Sequence, residues 1–578
     1  MKKTLDQILA GIKNPELEYT FTDESGTPSD QAAYLTNAKN CVIENLEFDS
    51  RSVKENTLFF ALPGTHTTGN KFICKAIENG ACAVVYQDEF SAEEKESIAS
   101  SVKNARAGKE KVAFIKVPSS RFAMSPISAS FYDDPSSHLV IYGVTGTEGK
   151  SSTVSFIWQL LRLSGIKAGF ISTVQYSLGG EAVNNPQHQT TPEAPIVQRE
   201  LYEMLNNGCT HAVVESSSHG LSTKTNRLGD VKFDCALFMN VTLEHLEFHG
   251  TYEQYKSDKA NLFRALDKVS HTKIIAGKET KVPSFGIVNL EDPAASYFAS
   301  ATSKKVVGFT TEGMAGKQAA EEIKAAPLPP VPQNMAYISS RNIASARYGI
   351  TFSMNRFDST VPQDERIIHV KAPLPGAFNA YNITAALIAV SGTTLIPLAK
   401  LAELTQKLLP VTGRMTVIDC GQPFEVIVDY AHTPSSFETI FPPLKKRCSG
   451  NIICVFGSGG ERDTKKRPLQ GAVAARFCST EILTDEDPRF EDSMKILDDI
   501  AQGAVKEGKV KGKDLLLIPD RRQAIRKAFS LAEKDDIVLL LGKSHENSII
   551  YRDKATPYDE IAEAKAALVE MGFSPAAS

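Results

Sequence analysis

The stretch Gly143-Val144-Thr145-Gly146-Thr147-Glu148-Gly149-Lys150-Ser151-Ser152 follows an apolar run, His138 to Tyr142. After it, Val154, Ile157, Trp158 and Leu161 recur at i, i+3, i+4 and i+7. This is the order strand, glycine turn, helix. Glycines let backbone amides close around phosphate oxygens, and the helix N-terminus adds partial positive charge at the same point. Gly146, Thr147, Gly149 and Ser152 would line the cradle, Lys150 would bridge the outer phosphates, and Ser151 would offer its hydroxyl to Mg²⁺. The spacing is G-x-x-G-K-S, with Gly143 one residue too far upstream for the usual G-x-x-x-x-G-K-S.

Outward from this loop, 578 residues exceed one core and predict three or four domains. A composition of 42% hydrophobic and 23% charged residues excludes a disordered or fibrous chain. The net charge of -4 gives no field to gather nucleic acid or an anionic membrane, so neither is an expected partner. Nine scattered cysteines with no C-x-x-C pair point to reduced thiols in a cytoplasmic protein. The opening MKKTLDQILAGIKNPELEY is interrupted by Asp6, Lys13 and Asn14 and does not read as a signal peptide.

Three blocks differ in grammar. Residues 1–135 alternate short β-like runs (Thr57 to Leu62, Ala81 to Tyr86, Val112 to Val117) with polar helical stretches. Residues 136–410 hold the phosphate loop and continuous apolar runs, Ala212 to Val214 and Cys235 to Phe238, expected for parallel strands covered on both faces. Within this block Met314 to Arg341, rich in Ala and Pro, reads as an inserted loop. Residues 411–578 repeat strand then helix, with polar loops after the strands at Val426–Val428, Ile452–Phe456, Ile482–Leu483, Leu515–Ile518 and Ile537–Leu541. In such sheets the ligand cleft lies at the carboxyl ends of the strands.

Gly143 to Ser152 resembles the G-V-T-G-T-N-G-K-T-T loop of the Mur ligases, ATP-dependent amide-forming enzymes of peptidoglycan synthesis, with Glu148 replacing Asn and Ser151 replacing Thr. Glu215-Ser216-Ser217-Ser218-His219-Gly220-Leu221 resembles the family's E-x-S-S-H-G-L, implying Glu215 as a Mg²⁺ ligand. Asn240 to Gly250 resembles T-N-x-x-x-D-H-L-D-x-H-G and implies His245 as a second ligand, with Glu244 in place of Asp. Nine residues past Gly250, Lys259 stands where the family carries a lysine carbamylated by CO₂. A carbamate turns a repulsive ammonium into an oxygen ligand for the metal.

Phe48-Asp49-Ser50-Arg51 and Gly64-Thr65-His66-Thr67 are similar to the UDP-binding domain of the MurE branch, which implies Ser50, Thr65, His66 and Thr67 at the uridine diphosphate. Gln189-Thr190-Thr191-Pro192 resembles its T-T-P segment. Thr190, Thr191, Ser217 and Arg227 would then contact the muramoyl dipeptide. Gly376-Ala377-Phe378-Asn379, Gly413-Arg414-Met415 and Asp429-Tyr430-Ala431-His432-Thr433-Pro434 resemble G-x-F-N, G-R-M and D-Y-A-H-T-P, implying Asn379, Arg414 and Asp429 at ATP. Arg414 would be the clamp on the terminal phosphate.

The amino-acid pocket would draw on Arg462, Asp487, Arg489, Gly542 and Glu546, from Gly459 to Asp463, Asp485-Glu486-Asp487-Pro488-Arg489 and Gly542 to Glu546. Asp487 stands where meso-diaminopimelate enzymes have Asn. Its carboxylate favours lysine or ornithine, while Arg462 and Arg489 pull toward the dicarboxylic substrate.

The resemblance implies an α/β protein of three domains: an N-terminal UDP-binding α/β domain, a central P-loop ATPase-like domain with a parallel sheet, and a C-terminal Rossmann-like domain. It implies a monomer adding a free diamino acid to UDP-N-acetylmuramoyl-L-alanyl-D-glutamate through an acyl phosphate. Lys150, Lys259 and Arg414 would be the catalytic residues, Lys150 and Arg414 as cations and Lys259 as its carbamate. The alternatives are a non-catalytic nucleotide-binding homologue and another ligase of the superfamily, such as a folylpolyglutamate synthetase.

Overall fold

The computed structural model describes residues 1–29, 41–64, 68–105, 112–185, 189–242, 246–311, 337–357 and 366–574. Thr65, His66, Thr67, Glu244 and His245, and most of the Ala- and Pro-rich stretch, lie outside these residues.

Three main sheets follow one another along the chain. In the first, the order is Thr20–Thr22, Ala113–Lys116, Ala81–Tyr86, Thr57–Phe60, Asn45–Glu47. Only the Thr20–Thr22 edge runs antiparallel.

The second sheet has eleven described strands, with Val140–Thr145 between His211–Glu215 and Cys235–Phe238. Its interior is parallel from Ala168–Ile171 through Tyr337–Ala346. The edges depart from the expected all-parallel sheet. Gln175–Ser177 and Val183–Asn184 fold back antiparallel on one side, and Gly349–Phe357 and Ile367–Ala372 on the other. Hairpins need only a short turn, whereas each parallel strand needs a crossover, so edges are closed cheaply this way. Tyr337 to Arg341, expected within the inserted loop, is strand: Ile338, Ser339 and Ser340 are buried and pair with Phe309, Thr310 and Thr311.

Two core layers sandwich this sheet. Val140, Tyr142 and Val144 pack with Val154, Ile157 and Leu161 of the helix Lys150–Leu163 and Ile383 and Leu387 of Asn379–Thr394. Leu139 and Ile141 face the other layer, with Leu201 of Ala194–Asn206 and Leu262 and Phe263 of Tyr252–Ala265. Gly143 is therefore not part of the phosphate turn as expected but an interior strand position facing that second layer. A Cβ there would lie 2.4 Å from Leu262 Cδ1 and 2.8 Å from the Phe233 ring. Its glycine lets the helix carrying Lys259 approach the strand feeding the loop.

The third sheet orders Thr416–Ile418, Glu425–Asp429, Ile537–Leu541, Ile452–Phe456, Thr480–Leu483 and Leu515–Leu517, antiparallel only at the first pair. Its strands also alternate between two cores: Ile427, Leu539 and Leu541 face one, Val428, Val538 and Leu540 the other. No described helix is long and apolar enough to cross a membrane.

Candidate active site

The phosphate loop is held from three sides. Asn240, just past Cys235–Phe238, accepts from the Thr147 and Glu148 amides through Oδ1 at 3.0 and 2.8 Å. Gly149 caps the helix Lys150–Leu163 with φ +82°, and a Cβ there would meet Asn382 Oδ1 at 2.7 Å. Lys150 folds back so that Nζ donates to Thr147 O at 2.8 Å. A neutral carbonyl leaves the ammonium its full charge for an incoming anion.

Glu215 ends the strand beside Val140–Thr145 and is 1% exposed. Its Oε1 accepts from Ser151 Oγ at 3.0 Å, and its Oε2 accepts from Ser172 Oγ and from the Thr173 amide at 2.9 Å. A carboxylate beside a hydroxyl at a phosphate loop is a hard-oxygen donor set that fits Mg²⁺. Among the described residues no three His, Cys, Asp or Glu side chains cluster as metal ligands.

Lys259 is 2% exposed, with Nζ over the Tyr255 ring and donating to Gly146 O at 2.7 Å. Lys259 thus reaches the loop from the helix that Gly143 admits. His249, which the sequence reading left without a role, braces this wall by bonding Asp258 Oδ2 at 2.7 Å and Ser218 Oγ at 3.1 Å.

Arg414 comes from the third block, yet its Nη2 lies 3.4 Å from Ser151 Oγ and its guanidinium sits 4.7 Å over the Tyr430 ring. Asp429 holds the turn that aims it, accepting the Met415 and Ala431 amides at 2.8 Å each. Burial raises the Asp429 pKa, against Arg414 and those amides. Glu148, which replaces the family's Asn, meets Thr433 Oγ1 at 3.5 Å, at the N-cap of the helix Pro434–Arg447. A helix N-terminus favours a carboxylate there. Asn379 opens the helix beside the loop and joins it through Asn382, whose Nδ2 donates to Asn379 Oδ1 at 3.1 Å and whose Oδ1 accepts from Thr153 at 3.3 Å. The i, i+3 repeat of Asn at 379 and 382 is the signal that could have exposed this link.

Thr191 is fully buried, with Oγ1 donating to Glu215 O at 2.8 Å and accepting from the Ser217 amide at 3.0 Å. Arg227 reaches Thr191 O and Glu193 Oε1, both at 2.8 Å, so it stands beneath the T-T-P loop rather than out in the cleft. Glu193 also meets Arg121 of the first block at 3.6 Å. Thr190 is half-buried at the same loop, and Ser50 is buried in the first block, its carbonyl accepting from Asn79.

The amino-acid residues gather on three neighbouring loops. Asp487 Oδ1 accepts from Lys543 Nζ at 2.8 Å and from the Ile550 amide at 2.9 Å. Lys543 also bonds Glu546 Oε2 at 2.5 Å, and Glu546 Oε1 accepts from Tyr430 OH at 3.1 Å. Tyr430 thus joins this pocket to Arg414. Arg489 is half-buried with φ +53°, Gly542 has φ +97°, and Arg462 is exposed at the rim. Buried Arg467, not singled out by sequence, bonds Glu491 at 2.9 and 3.0 Å and Gly459 O at 3.2 Å. It thereby laces the Gly459–Asp463 loop to the loop carrying Arg489.

Three family models match in succession: the Mur ligase family catalytic domain over residues 42–132, the Mur ligase middle domain over 144–390, and the Mur ligase glutamate ligase domain over 413–544. The chain is 49% identical to a UDP-N-acetylmuramyl-tripeptide synthetase of Treponema denticola, over 91% of this chain and 94% of that one. It is 34% identical to a UDP-N-acetylmuramoyl-L-alanyl-D-glutamate–2,6-diaminopimelate ligase of Halalkalibacterium halodurans, over 91% and 95%. A solved structure of a ligase with that same diaminopimelate title superposes with TM-score 0.54 at 26% identity, covering 92% of this chain and 96% of that one.

Proposed function

The chain belongs to the Mur ligase family, on its tripeptide-synthetase branch, and from that premise we infer how its residues divide the work. It is an ATP-dependent ligase that joins a diamino acid to the D-glutamate of UDP-N-acetylmuramoyl-L-alanyl-D-glutamate. Residues 1–135 take the uridine diphosphate, 136–410 the ATP and the muramoyl dipeptide, and 411–578 the amino acid. The enzyme works as a cytoplasmic monomer.

The observation that carries this reading is Arg414 of the third block reaching Ser151 in the phosphate loop of the second. It brings a second cation to the loop that carries Lys150. The glutamate γ-carboxylate attacks the terminal phosphorus of ATP, giving an acyl phosphate and ADP. The neutral amine of the incoming amino acid then attacks the acyl carbon, and phosphate leaves. Lys150 and Arg414 face the charge that builds on the transferring oxygens, and the amides of Gly146 to Ser152 orient them. Glu215 and Ser151, with His245 and Lys259 as its carbamate, would hold Mg²⁺, which supplies neutralisation of the phosphates when bound. Burial of Lys259 beside the loop supports that assignment. Ser50, Thr65, His66 and Thr67 bind the uridine diphosphate. Thr190, Thr191 and Ser217 hold the dipeptide, with Arg227 bracing their loop from beneath, and Asn379 and Asp429 place ATP.

Phosphate release with ATP, Mg²⁺ and the UDP-muramoyl dipeptide tests this, against meso-diaminopimelate, L-lysine and L-ornithine in turn. Release that requires both the dipeptide and one diamino acid is expected. Silence of folded protein with all three amino acids would sink the reading.

A further inference from the structure

The amino-acid pocket contains a cation already occupied by the protein itself. Lys543 is fully buried, and its Nζ lies between Asp487 Oδ1 at 2.8 Å and Glu546 Oε2 at 2.5 Å. Burial works against its charge, but Glu546 and Asp487 outweigh burial and raise its pKa. It is therefore an ammonium shared by two carboxylates from separate loops. Glu546 is fixed on its other side by Tyr430, and Asp487 by the Ile550 amide.

The candidate substrates differ in what their side chains carry at the distal end, ornithine being also one methylene shorter. Lysine and ornithine end in an ammonium, whereas meso-diaminopimelate adds a carboxylate. A buried ammonium is the natural partner for that carboxylate. Resting on the ligase reading above, we propose that Lys543 is a specificity-determining residue, and that Asp487 occupies on its Nζ the place a distal carboxylate would take. Selectivity against a dicarboxylic substrate then comes from occupancy of Lys543, an internal competitor, rather than from repulsion alone.

The test compares kcat/KM for meso-diaminopimelate with that for L-lysine and L-ornithine in the full-length protein. It uses the wild type, Asp487→Ala, and Asp487→Ala combined with Lys543→Met. Asp487→Ala should shift the ratio toward diaminopimelate by about tenfold, as vacating a charge-assisted position does. The double variant should return it to near the wild-type value. A shift that survives loss of Lys543 would mean that Asp487 acts directly by repulsion and would overturn the proposal. Absence of any shift in Asp487→Ala would overturn it too. Lys543→Gln in the same background keeps a donor without the charge and repeats the comparison if the methionine variant does not fold. Wild-type silence with every amino acid is a separate result, which sinks the ligase reading itself.

Discussion

The phosphate loop and the amino-acid pocket treat their cations in opposite ways. At the loop, Lys150 rests on the carbonyl of Thr147, a neutral acceptor that orients the ammonium without cancelling it. In the pocket, Lys543 is bracketed by Asp487 and Glu546, and Arg467 by Glu491 and Asp499. A site for a polyanion keeps its positive charge available, whereas the amino-acid pocket pairs its buried cations with carboxylates. The difference teaches that a cation near a cleft is informative only once its partner is known.

The strongest break of this contrast is Lys150→Met. Removing the uncancelled cation should lower kcat for phosphate release by about a thousandfold, the cost of losing one aimed donor at the reacting phosphate. The KM for the amino acid should stay close to wild type in the same steady-state assay. A kcat within tenfold of wild type would remove Lys150 from the catalytic role.

A smaller effect sharpens the other half. Arg467→Lys keeps a charge but cannot span Glu491, Asp499 and Gly459 O together, because a lysine lacks the guanidinium fork. The loops carrying Arg462 and Arg489 should loosen, raising the amino-acid KM by about tenfold while the ATP KM holds. Equal changes in both KM values would show a general loss of structure rather than a loss of loop registration.

The smallest effect lies in the sheet beneath the pocket. Glu481 on Thr480–Leu483 is fully buried, neither carboxyl oxygen has a hydrogen-bond partner, and burial pushes its pKa up to about 8, partly offset by Lys509. The unfolded chain releases this proton near 4.5, the folded chain near 8. Folding therefore retains a proton across that window, and its stability contribution falls as pH rises through it. Glu481→Gln should melt close to wild type at pH 5 and above it at pH 8.5, by differential scanning calorimetry. An unchanged difference between the two pH values would show that Glu481 ionises in the folded state as it does in the unfolded chain.

Much of the architecture was legible because apolar runs such as Ala212 to Val214 and Ile537 to Leu541 are short, rich in β-branched or leucine residues and buried on both faces, as covered parallel strands are. Tyr337 to Arg341 was not, since its strand character comes from pairing with Phe309 to Thr311. Gly143 was misplaced for a similar reason: the side chains that require its glycine, Phe233 and Leu262, are distant in sequence. Arg227 was expected at the dipeptide, and its bonds to Thr191 O and Glu193, which set it beneath the T-T-P loop, show only in three dimensions.

The sequence by itself determined the chemistry that is local: the phosphate loop, the carboxylate at the end of its neighbouring strand, the strand-helix rhythm of the third block, and the family to which these motifs belong. Each depends on residues adjacent in the chain, where backbone geometry follows directly from residue type. The tertiary structure alone decided which charges meet. Arg414 reaches Ser151 across 263 residues and Lys543 reaches Asp487 across 56, and a buried ion pair is defined by its partner and its desolvation, neither of which spacing encodes.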